Sequence, residues 1–317
     1  MKINNRRHII IVSLLLPFLF LMSCKKEKAE QFNVAKQTVF QYISTSKDLG
    51  LYQAALKRAG MYNAETFSNG GLFTVFAPVD SAFINAGLTL DSINKYDPQA
   101  LALVLRYNII FGKISAASLV GFYAEEVPSQ NPTFKPTINK NYYGIFFDGI
   151  PLVNSSSVDL GDGAVHELIK MPFPPVTDIF DLINKSPDLT FFAAALKHIG
   201  YDARLSAPGP NLGNSSPYWT VLAPTNEAYK KFGYPDTAAI YADDPNNLVQ
   251  NIFYYVVQDK IFTSSFIGGG YFGGFVVQAD GFSIFSRGNV GLAHIIHPDI
   301  LATNGVIQVV DQVLQLE

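Results

Sequence analysis

A segment of eleven residues occurs twice in this chain, almost half the chain length apart. Residues 73–83 read FTVFAPVDSAF, and residues 219–229 read WTVLAPTNEAY. A solenoid repeats every 20 to 50 residues or so, whereas a separation this long indicates two copies of a whole domain. The length of 317 residues agrees with two domains of roughly 150 residues each.

The composition indicates a folded chain and argues against two kinds of partner. Hydrophobic residues make up 48% of the chain and charged residues 15%, so each half can bury a core. The formal net charge is −3, and the sequence has no basic stripe. We therefore expect no nucleic-acid partner and no electrostatic docking to anionic lipid headgroups.

The only cysteine, Cys24, ends an N-terminal leader. Positive charge in residues 1–8 is followed by the apolar run 9–22, which is too short for a membrane span of about 20 residues but suits a signal peptide. Residues 21–24 (LMSC) resemble a bacterial lipobox, in which the cysteine is acylated and becomes the mature N-terminus. Met22 is a less usual residue at its position. The alternatives are an ordinary signal peptide with an incidental cysteine and a short membrane anchor.

These observations predict four segments. Residues 1–23 form a lipoprotein signal peptide, 24–35 a polar tether, 36–173 the first domain and 174–317 the second. The proline-rich step 173–175 predicts a short, stiff linker between the domains. Lipidation of Cys24 predicts attachment to the cell outer membrane through the N-terminal lipid, and either the periplasmic or the extracellular face remains open.

In each copy, helical patterns come first and strand patterns later, which predicts an α+β domain. Apolar residues at helical spacing in 51–59 and 191–199 are followed by Gly60 and Gly200 as C-terminal caps. The remaining predictions are paired: short helices at 39–43 and 179–183, a helix and strand at 101–110 and 248–257, hairpin turns at Asp148-Gly149 and Asp280-Gly281, and closing strands at 163–169 and 305–311.

The repeated segment itself predicts a strand, a turn and a helix. Pro78 and Pro224 lack the N–H that a central strand needs, so we expect them not to continue the strand. Asp80 and Asn226 are expected to cap the helix that follows, with Thr225 as an alternative in the second copy. Neither copy has the glycine-rich turn of a phosphate-binding loop.

These motifs resemble the fasciclin (FAS1) domain. That family carries an aromatic-Thr-Val-aliphatic-Ala-Pro-Thr-Asp/Asn-x-Ala-Phe block near its start and an Asn-Gly-Val-Ile-His-Val-Ile-Asp-x-Val-Leu block at its end. The first block is present twice here, and the second is close in 304–314 and looser in 162–171. The resemblance covers about residues 36–317. It implies two tandem FAS1-like domains, each with a helical N-terminal part packed on a β-sandwich or wedge of short strands.

The chain departs from the family pattern at several positions. Asn108 and Tyr255 replace the histidine of a mid-domain Tyr-His step, and Gln308 replaces the histidine of the closing block, which His166 keeps. Val79 replaces threonine in the first opening block. In animal members the Tyr-His region is linked to receptor adhesion, and we do not transfer that role here. The family still implies a secreted or surface-anchored binding or adhesion module without enzymatic activity.

Two groups of residues offer chemistry. His294, His297 and Asp299 could supply metal ligands, but Pro298 disfavours a helix there, and a polar loop or strand end is the alternative. His166, His198, Asp162 and Asp178 could serve acid–base chemistry, yet no serine has a nucleophile-elbow context and the only cysteine lies in the leader. We therefore predict no catalytic residue, no metal site and no cofactor.

Two loops could contact a partner. Residues 268–274 place Tyr271 and Phe272 on a glycine-rich frame, either as an exposed contact patch or packed down onto the domain. Residues 211–218 lengthen the second copy, and surface insertions of this kind are either functional or inert.

The leading functional hypothesis is a lipid-anchored, non-enzymatic protein that binds a protein or glycan partner; the sequence leaves the partner and the ligand-binding residues unknown. Three alternatives stay open. They are an accessory glycan binder of an outer-membrane polysaccharide uptake system, a hydrolase with an unrecognised site, and a purely structural envelope protein.

Overall fold

Two sheets with the same order of strands form the framework of the protein. The computed structural model describes residues 36–67, 71–119, 123–209 and 215–315. At residues 123, 154–156 and 251 it describes the backbone alone. The first repeat contains β1 Phe73–Pro78, β2 Ile109–Phe111, β3 Tyr123–Glu126, β4 Thr137–Asn141, β5 Gly144–Phe147, β6 Ile150–Asp159 and β7 Gly163–Leu168. The second contains β8 Trp219–Pro224, β9 Val256–Val257, β10 Gly270–Phe272, β11 Phe275–Val277, β12 Ser283–Phe285, β13 Ala293–Ala302 and β14 Gly305–Val310. The orders are β2-β1-β7-β6-β5-β4-β3 and β9-β8-β14-β13-β12-β11-β10, so each strand has a counterpart at the same place.

The helices are duplicated in the same order, except that the place of α8 is taken in the first repeat by the 3₁₀ helix Ala64–Phe67. Those of the first repeat are α1 Val39–Thr45, α2 Gly50–Arg58, α3 Asp80–Asn85, α4 Leu90–Lys95 and α5 Pro98–Tyr107. Those of the second are α6 Ile179–Lys185, α7 Thr190–His198, α8 Asp202–Leu205, α9 Asn226–Phe232, α10 Thr237–Ala242 and α11 Pro245–Ile252. Gly60 and Gly200 follow α2 and α7 with φ of +71° in both cases, which confirms the predicted C-terminal caps.

Strand β1 is buried on both of its faces, because helices cover one side and the rest of the strands fold over the other. Phe73, Val75 and Ala77 lie in the core that α1 and α2 share. Phe76 points the other way and packs with Phe147 of β5, at 4.8 Å between ring centroids. This alternation follows from the two-residue period of a strand and confirms a helical part packed on a wedge of strands.

A parallel pair of strands closes each repeat. Phe73 lies beside Gly163 where β1 meets β7, and Trp219 lies beside Gly305 where β8 meets β14. A Cβ added at Gly163 would lie 1.9 Å from the carbonyl oxygen of Phe73, and one at Gly305 would lie 1.8 Å from that of Trp219. Glycine at the start of each closing strand is therefore required by the close approach of the two backbones.

The prolines of the repeated segment are part of the strands, as their last residues, contrary to the expectation that the strands stop before them. Pro78 is the last residue of β1, and Pro224 is the last of β8. Phe76 donates its N–H toward the β2 side, to the carbonyl of Asn108, and Pro78 faces the same way two residues later. The paired register of β2 ends at Val75, so the N–H that Pro78 lacks has no strand to meet on that side.

Residues Lys36–Glu317 belong to one compact unit. Within the ranges that the structure describes, no helix has both the length and the apolar character needed to cross a membrane. The predicted signal peptide, the tether and Cys24 lie outside the described residues.

Candidate binding surfaces and the residues of the motif

Asp80 and Asn226 do not cap the helices that they begin, which corrects the sequence-based expectation. Asp80 is the first residue of α3, whose N-cap position, Val79, makes no side-chain bond. The carboxylate of Asp80 instead accepts the backbone N–H of Leu51 in α2, at 2.7 Å. Asn226 accepts the N–H of Phe191 in α7 in the same way, at 2.9 Å. Both side chains therefore tie two helices together.

The alternative cap in the second repeat is confirmed. Thr225 occupies the N-cap of α9, and its hydroxyl accepts the N–H of Ala228 at 3.1 Å. Val79 stands at the same place in the first repeat and has no hydroxyl to offer. The two copies of the motif therefore differ in the cap and agree in the bond between helices.

His166 and Gln308 fill the same position of the closing strand and make the same contact. Nε2 of His166 lies 2.7 Å from the carbonyl oxygen of Ile114. Nε2 of Gln308 donates to the carbonyl oxygen of Ile261 at 3.1 Å. Since a carbonyl can only accept, the proton of a neutral His166 is on Nε2. Burial also lowers the pKa of His166, so this histidine serves the fold as a neutral donor.

Of the other acid–base candidates, His198 is the last residue of α7, with Nε2 2.9 Å from the carbonyl oxygen of Asp243, and the two aspartates lie at helix starts. The carboxylate of Asp162 accepts the N–H of Val39 at 2.7 Å, where α1 begins. Its counterpart Asn304 accepts the N–H of Ile179 at 2.9 Å, where α6 begins. Asp178 is the N-cap residue of α6. An amide replaces a carboxylate without changing the contact, so the position needs an acceptor and not an ionisable group.

His294, His297 and Asp299 all lie on strand β13 and not in a loop, with His294 as the second residue of the strand. His294 meets Asp311, whose carboxylate accepts its backbone N–H at 2.7 Å. Asp299 accepts the N–H of Thr263 at 2.8 Å. In the part of the chain that the structure describes, no three histidine, cysteine, aspartate or glutamate side chains are grouped to hold a metal ion.

Of the two aromatic residues in the glycine-rich loop 268–274, one packs onto the domain and the other is exposed. Phe272 is 1% exposed and packs against Phe266, whereas Tyr271 is 79% exposed. Successive residues of strand β10 point to opposite faces, which explains the division. Tyr142, at the turn between β4 and β5, is 89% exposed. Tyr142 and Tyr271 are therefore strongly exposed aromatic side chains.

Polar contacts join the two repeats along a seam, to which the sequence pointed only through Tyr218, the last residue of the insertion 211–218. Residues 211–214 of that insertion lie outside the described residues. Glu126 of β3 accepts from Lys260 at 3.0 Å and from the hydroxyl of Tyr218 at 3.0 Å. The Lys260 ammonium also lies 5.0 Å from the ring centroid of Tyr218. Burial and the Glu126 carboxylate raise the pKa of Tyr218 to about 12.

A second pair of contacts extends this seam along β4. Asn139 donates to the hydroxyl of Ser265 at 3.1 Å, and Asn141 donates to the carbonyl of Ser264 at 2.6 Å. Both serines belong to the 3₁₀ turn Thr263–Phe266. We use "seam" for the contacts of Glu126, Asn139 and Asn141 with Tyr218, Lys260, Ser264 and Ser265.

A buried carboxylate lies close to the seam in the turn between β5 and β6. Asp148 accepts the hydroxyl of Tyr107 at 2.6 Å and the N–H of Thr137 at 2.8 Å. Burial raises the pKa of Asp148 to about 6, although Lys260 acts in the opposite direction. The next residue, Gly149, approaches the second repeat, since a Cβ added there would lie 2.5 Å from the carboxylate of Asp299.

The described chain is thus a tandem α+β protein in which the residues of the repeated motif hold helices and strands in place. A family model for the fasciclin domain matches residues 47–171 and 187–316, and the chain belongs to the fasciclin-domain family. Membership in this family supports a non-enzymatic adhesion or binding role. The predicted domains 36–173 and 174–317 contain these matches, and their boundaries stay predictions.

The chain is similar to curated proteins of animals and of a cyanobacterium. Human periostin is 24% identical over 259 residues, which are 77% of this chain and 27% of periostin. The transforming growth factor-beta-induced protein ig-h3 of Oryctolagus cuniculus is 26% identical over 254 residues, 77% of this chain and 35% of that protein. Protein sll1483 of Synechocystis sp. is 32% identical over 146 residues, 44% of this chain and 74% of that protein. The chain therefore spans about a third or less of the two animal relatives.

Among solved structures, the chain is similar to a FAS1 domain pair from the insect cell adhesion molecule Fasciclin I. The sequence identity is 15% and the TM-score is 0.37, with 84% of this chain and 95% of that chain covered.

Proposed function

We propose that this protein is a lipid-anchored component of the cell envelope that binds a protein or glycan partner through the surface of its two fasciclin domains and catalyses no reaction. One observation carries the proposal. The polar residues shared by both repeats are used in hydrogen bonds that hold the fold, as at Asp80 and Asn226. Recognition then depends on the exposed surface, where Tyr142 and Tyr271 are the strongly exposed aromatic residues named above, and on the region of the seam.

The anchor is proposed from the leader of the sequence. Cys24 follows an apolar run and stands at the acylated position of a lipobox-like segment. Acylation would attach the protein to the outer membrane, because buried acyl chains bind a bilayer in proportion to their length.

Substitution of the anchor cysteine tests this part. In Cys24→Ser the protein should move from the membrane fraction to the soluble fraction, and incorporation of a radiolabelled fatty acid should be lost. Ser23→Ala keeps the cysteine and should stay labelled and membrane-bound. Membrane retention of Cys24→Ser at the wild-type level would reject the anchor.

A binding experiment tests the recognition part. The full chain, reconstituted in vesicles, is presented to arrays of glycans and of extracellular matrix proteins. Tyr142→Ala and Tyr271→Ala should weaken capture of the partner, whereas Tyr241→Ala, on helix α10, serves as the control for loss of a half-exposed tyrosine. Failure of the wild-type chain to bind any glycan or any protein would argue against a binding role.

A narrower candidate is an accessory glycan binder in a polysaccharide uptake system. The favouring observation is the hydroxyl-rich lining of the cleft beside the seam, which includes Thr137, Tyr218 and Ser265. Hydroxyl groups both donate and accept hydrogen bonds, as the groups of a sugar do.

A further inference from the structure

A cleft of about 460 Å³ opens beside the seam and is lined by both repeats. Glu126 and Thr137 come from the first repeat, and Tyr218, Lys260 and Ser265 come from the second. Boundaries between domains are a preferred location for ligand sites, and this volume lies within the usual range of about 300 to 1,000 Å³. The cleft is therefore large enough for a small ligand or for part of a longer one.

One residue that lines this cleft carries a buried polar atom without a partner, and two further unpaired atoms belong to residues of the seam beside it. The hydroxyl of Thr137, which lines it, makes no hydrogen bond, although Thr137 is only 7% exposed. Asn139 lies two residues further along β4, on the same face, and its Oδ1 is also unpaired. Across the seam the Ser264 hydroxyl is unpaired as well. An unpaired buried hydroxyl is costly, so the Thr137 hydroxyl keeps unused hydrogen-bonding capacity that a ligand in the cleft would satisfy.

The charged groups that line the cleft can form further hydrogen bonds with a ligand. The two oxygens of Glu126 accept one bond each, from Lys260 and from Tyr218, whereas a carboxylate has about four acceptor sites. Lys260 has three N–H donors, one of which is directed to Glu126, and its side chain is only 11% exposed. The hydroxyl of Tyr218 donates to Glu126 and can still accept.

The balance of charge selects the class of ligand. Glu125, Glu126 and Asp259 line the cleft with the single cation Lys260, so the lining is net negative. Anionic ligands such as phosphates and uronic acids are disfavoured there. Donors and acceptors close together, with hydroxyls on both sides, match a ligand that is itself rich in hydroxyl groups.

We propose that this cleft binds a neutral sugar residue, with the Thr137 hydroxyl, Glu126 and Lys260 as its hydrogen-bonding partners. The inference rests on the binding function proposed above and adds the class of ligand and the place where it binds. The sugar is either a free mono- or oligosaccharide or one residue of a polysaccharide chain. Both sources present the same hydroxyl chemistry to the cleft.

Titration calorimetry on the full chain in detergent tests the proposal. The probes are hexasaccharides of glucose, mannose and xylose, with an oligogalacturonide as the anionic comparison. Thr137→Val keeps the shape of the side chain and removes only the hydroxyl, and it should weaken binding by about tenfold. Lys260→Met should weaken it at least as much. Lys113→Met alters the counterpart lysine of the first repeat, away from the cleft, and should leave the affinity unchanged.

The comparison of variants separates a binding role from a structural one. A merely buried hydroxyl without a partner is destabilising, so Thr137→Val should not lower the melting temperature. Loss of affinity with an unchanged or raised melting temperature supports the site. Weaker binding of the matching monosaccharide than of the hexasaccharide would assign the ligand to a longer chain, and equal binding would assign it to a free sugar or a chain end.

Two results would overturn the inference. One is binding that Thr137→Val and Lys260→Met leave within twofold of the wild type, because the sugar would then bind elsewhere. The other is no binding of any neutral hexasaccharide at millimolar concentration. If the same preparation still captures a protein on the matrix array, the proposed binding function survives and only the sugar site is lost. If it captures no protein and no glycan, both the proposed binding function and the proposed sugar site are rejected.

Discussion

The carboxylate of Asp80 accepts a hydrogen bond from the backbone N–H of Leu51, with 2.7 Å between Oδ1 and the nitrogen. Leu51 is the second residue of α2, and the first N–H groups of a helix have no partner inside it. Asn226 serves Phe191 of α7 in the same way. Because a neutral amide makes this contact in one repeat and a carboxylate makes it in the other, the contact depends on an acceptor atom and not on charge.

Removal of that acceptor should destabilise the fold. Asp80→Ala leaves the N–H of Leu51 without a partner and should cost about 1 to 2 kcal/mol, the usual cost of losing a helix cap. Asp80→Asn should be close to the wild type, since Asn226 stands at the equivalent place. Urea unfolding followed by circular dichroism measures both.

A surface aspartate is the control for this prediction. Asp91 forms an exposed ion pair with Lys95, and such pairs contribute little, so Asp91→Ala should hardly move the unfolding midpoint. Equal midpoints for Asp80→Ala and Asp91→Ala would contradict the bond between helices.

Burial of Asp148 should make stability depend on pH. Its pKa of about 6 in the folded chain lies above the ordinary value of 3.8, so the folded state holds the proton more tightly than the unfolded state. The stability from this group is complete below pH 4 and is lost as the pH rises from about 4 to 6. The loss is about 3 kcal/mol. Asp148→Asn stays neutral and should gain that amount relative to the wild type between pH 4 and pH 7.

Asp280 should show the opposite dependence of stability on pH. Hydrogen bonds from the hydroxyl and the N–H of Ser283 lower its pKa, so its stabilisation is present at neutral pH and is lost on acidification. Asp280→Asn should therefore lose stability relative to the wild type as the pH rises. Unfolding curves recorded from about pH 2 to pH 8 decide the matter, because the Asp280 effect appears below pH 4 and the Asp148 effect above it. Parallel profiles for Asp148→Asn and the wild type would count against a buried carboxylate.

Gln308 predicts which substitution His166 tolerates. His166→Gln can keep the bond to the carbonyl of Ile114, so it should retain stability at pH 7.5 within about 1 kcal/mol, whereas His166→Ala leaves that carbonyl unpaired and should lose about 1 to 3 kcal/mol.

The pH profile gives a second measurement on the same variant. Because burial lowers the pKa of His166, its contribution is present above the ordinary value of 6.5 and is lost as the pH falls below it. His166→Gln should therefore gain on the wild type between pH 6.5 and pH 5 in thermal unfolding. If the wild type and His166→Gln lose stability equally over that range, His166 is not held neutral by burial.

Replacement of Gly149 should destabilise the protein, because a side chain there would collide with the second repeat. Its φ is +79°, and an added Cβ would lie 2.5 Å from the Asp299 carboxylate and 3.1 Å from the Phe262 ring. Gly87 has nearly the same φ, +76°, with nothing within 4 Å of its added Cβ. Gly87→Ala should thus cost only the backbone strain of about 1 to 2 kcal/mol, and Gly149→Ala should cost more. Similar unfolding midpoints for the two variants would mean that the repeats do not press together at this turn.

Much of the fold could be predicted because its signals are local. The repeated segment predicted two equivalent units, and the matching strand orders confirm the duplication. Helical spacing of apolar residues located α2 and α7, and Gly60 and Gly200 marked their ends, since only glycine takes a positive φ without strain. The hairpin turn at Asp148-Gly149 was readable for the same reason. In each case, residues close together in the chain determine the conformation.

The candidate site could not be predicted in this way. Glu126, Thr137 and Lys260 carry no pattern that indicates a site, and Tyr218 entered only as the last residue of the insertion 211–218. Even the strongest motif was misassigned in part, because Asp80 bonds to a helix 29 residues earlier and not to the one that it begins.

The sequence by itself determined the duplication, the α+β order of elements and the family. These follow from backbone propensity and the alternation of burial, which depend on residues close together in the chain. Only the tertiary structure decided which acceptor serves which helix, that Glu126 meets Lys260, and that the hydroxyl of Thr137 lies unpaired beside a cleft. The physical reason is that a side chain's partner depends on how distant segments pack together, and the residues adjacent to it in the chain do not specify that packing.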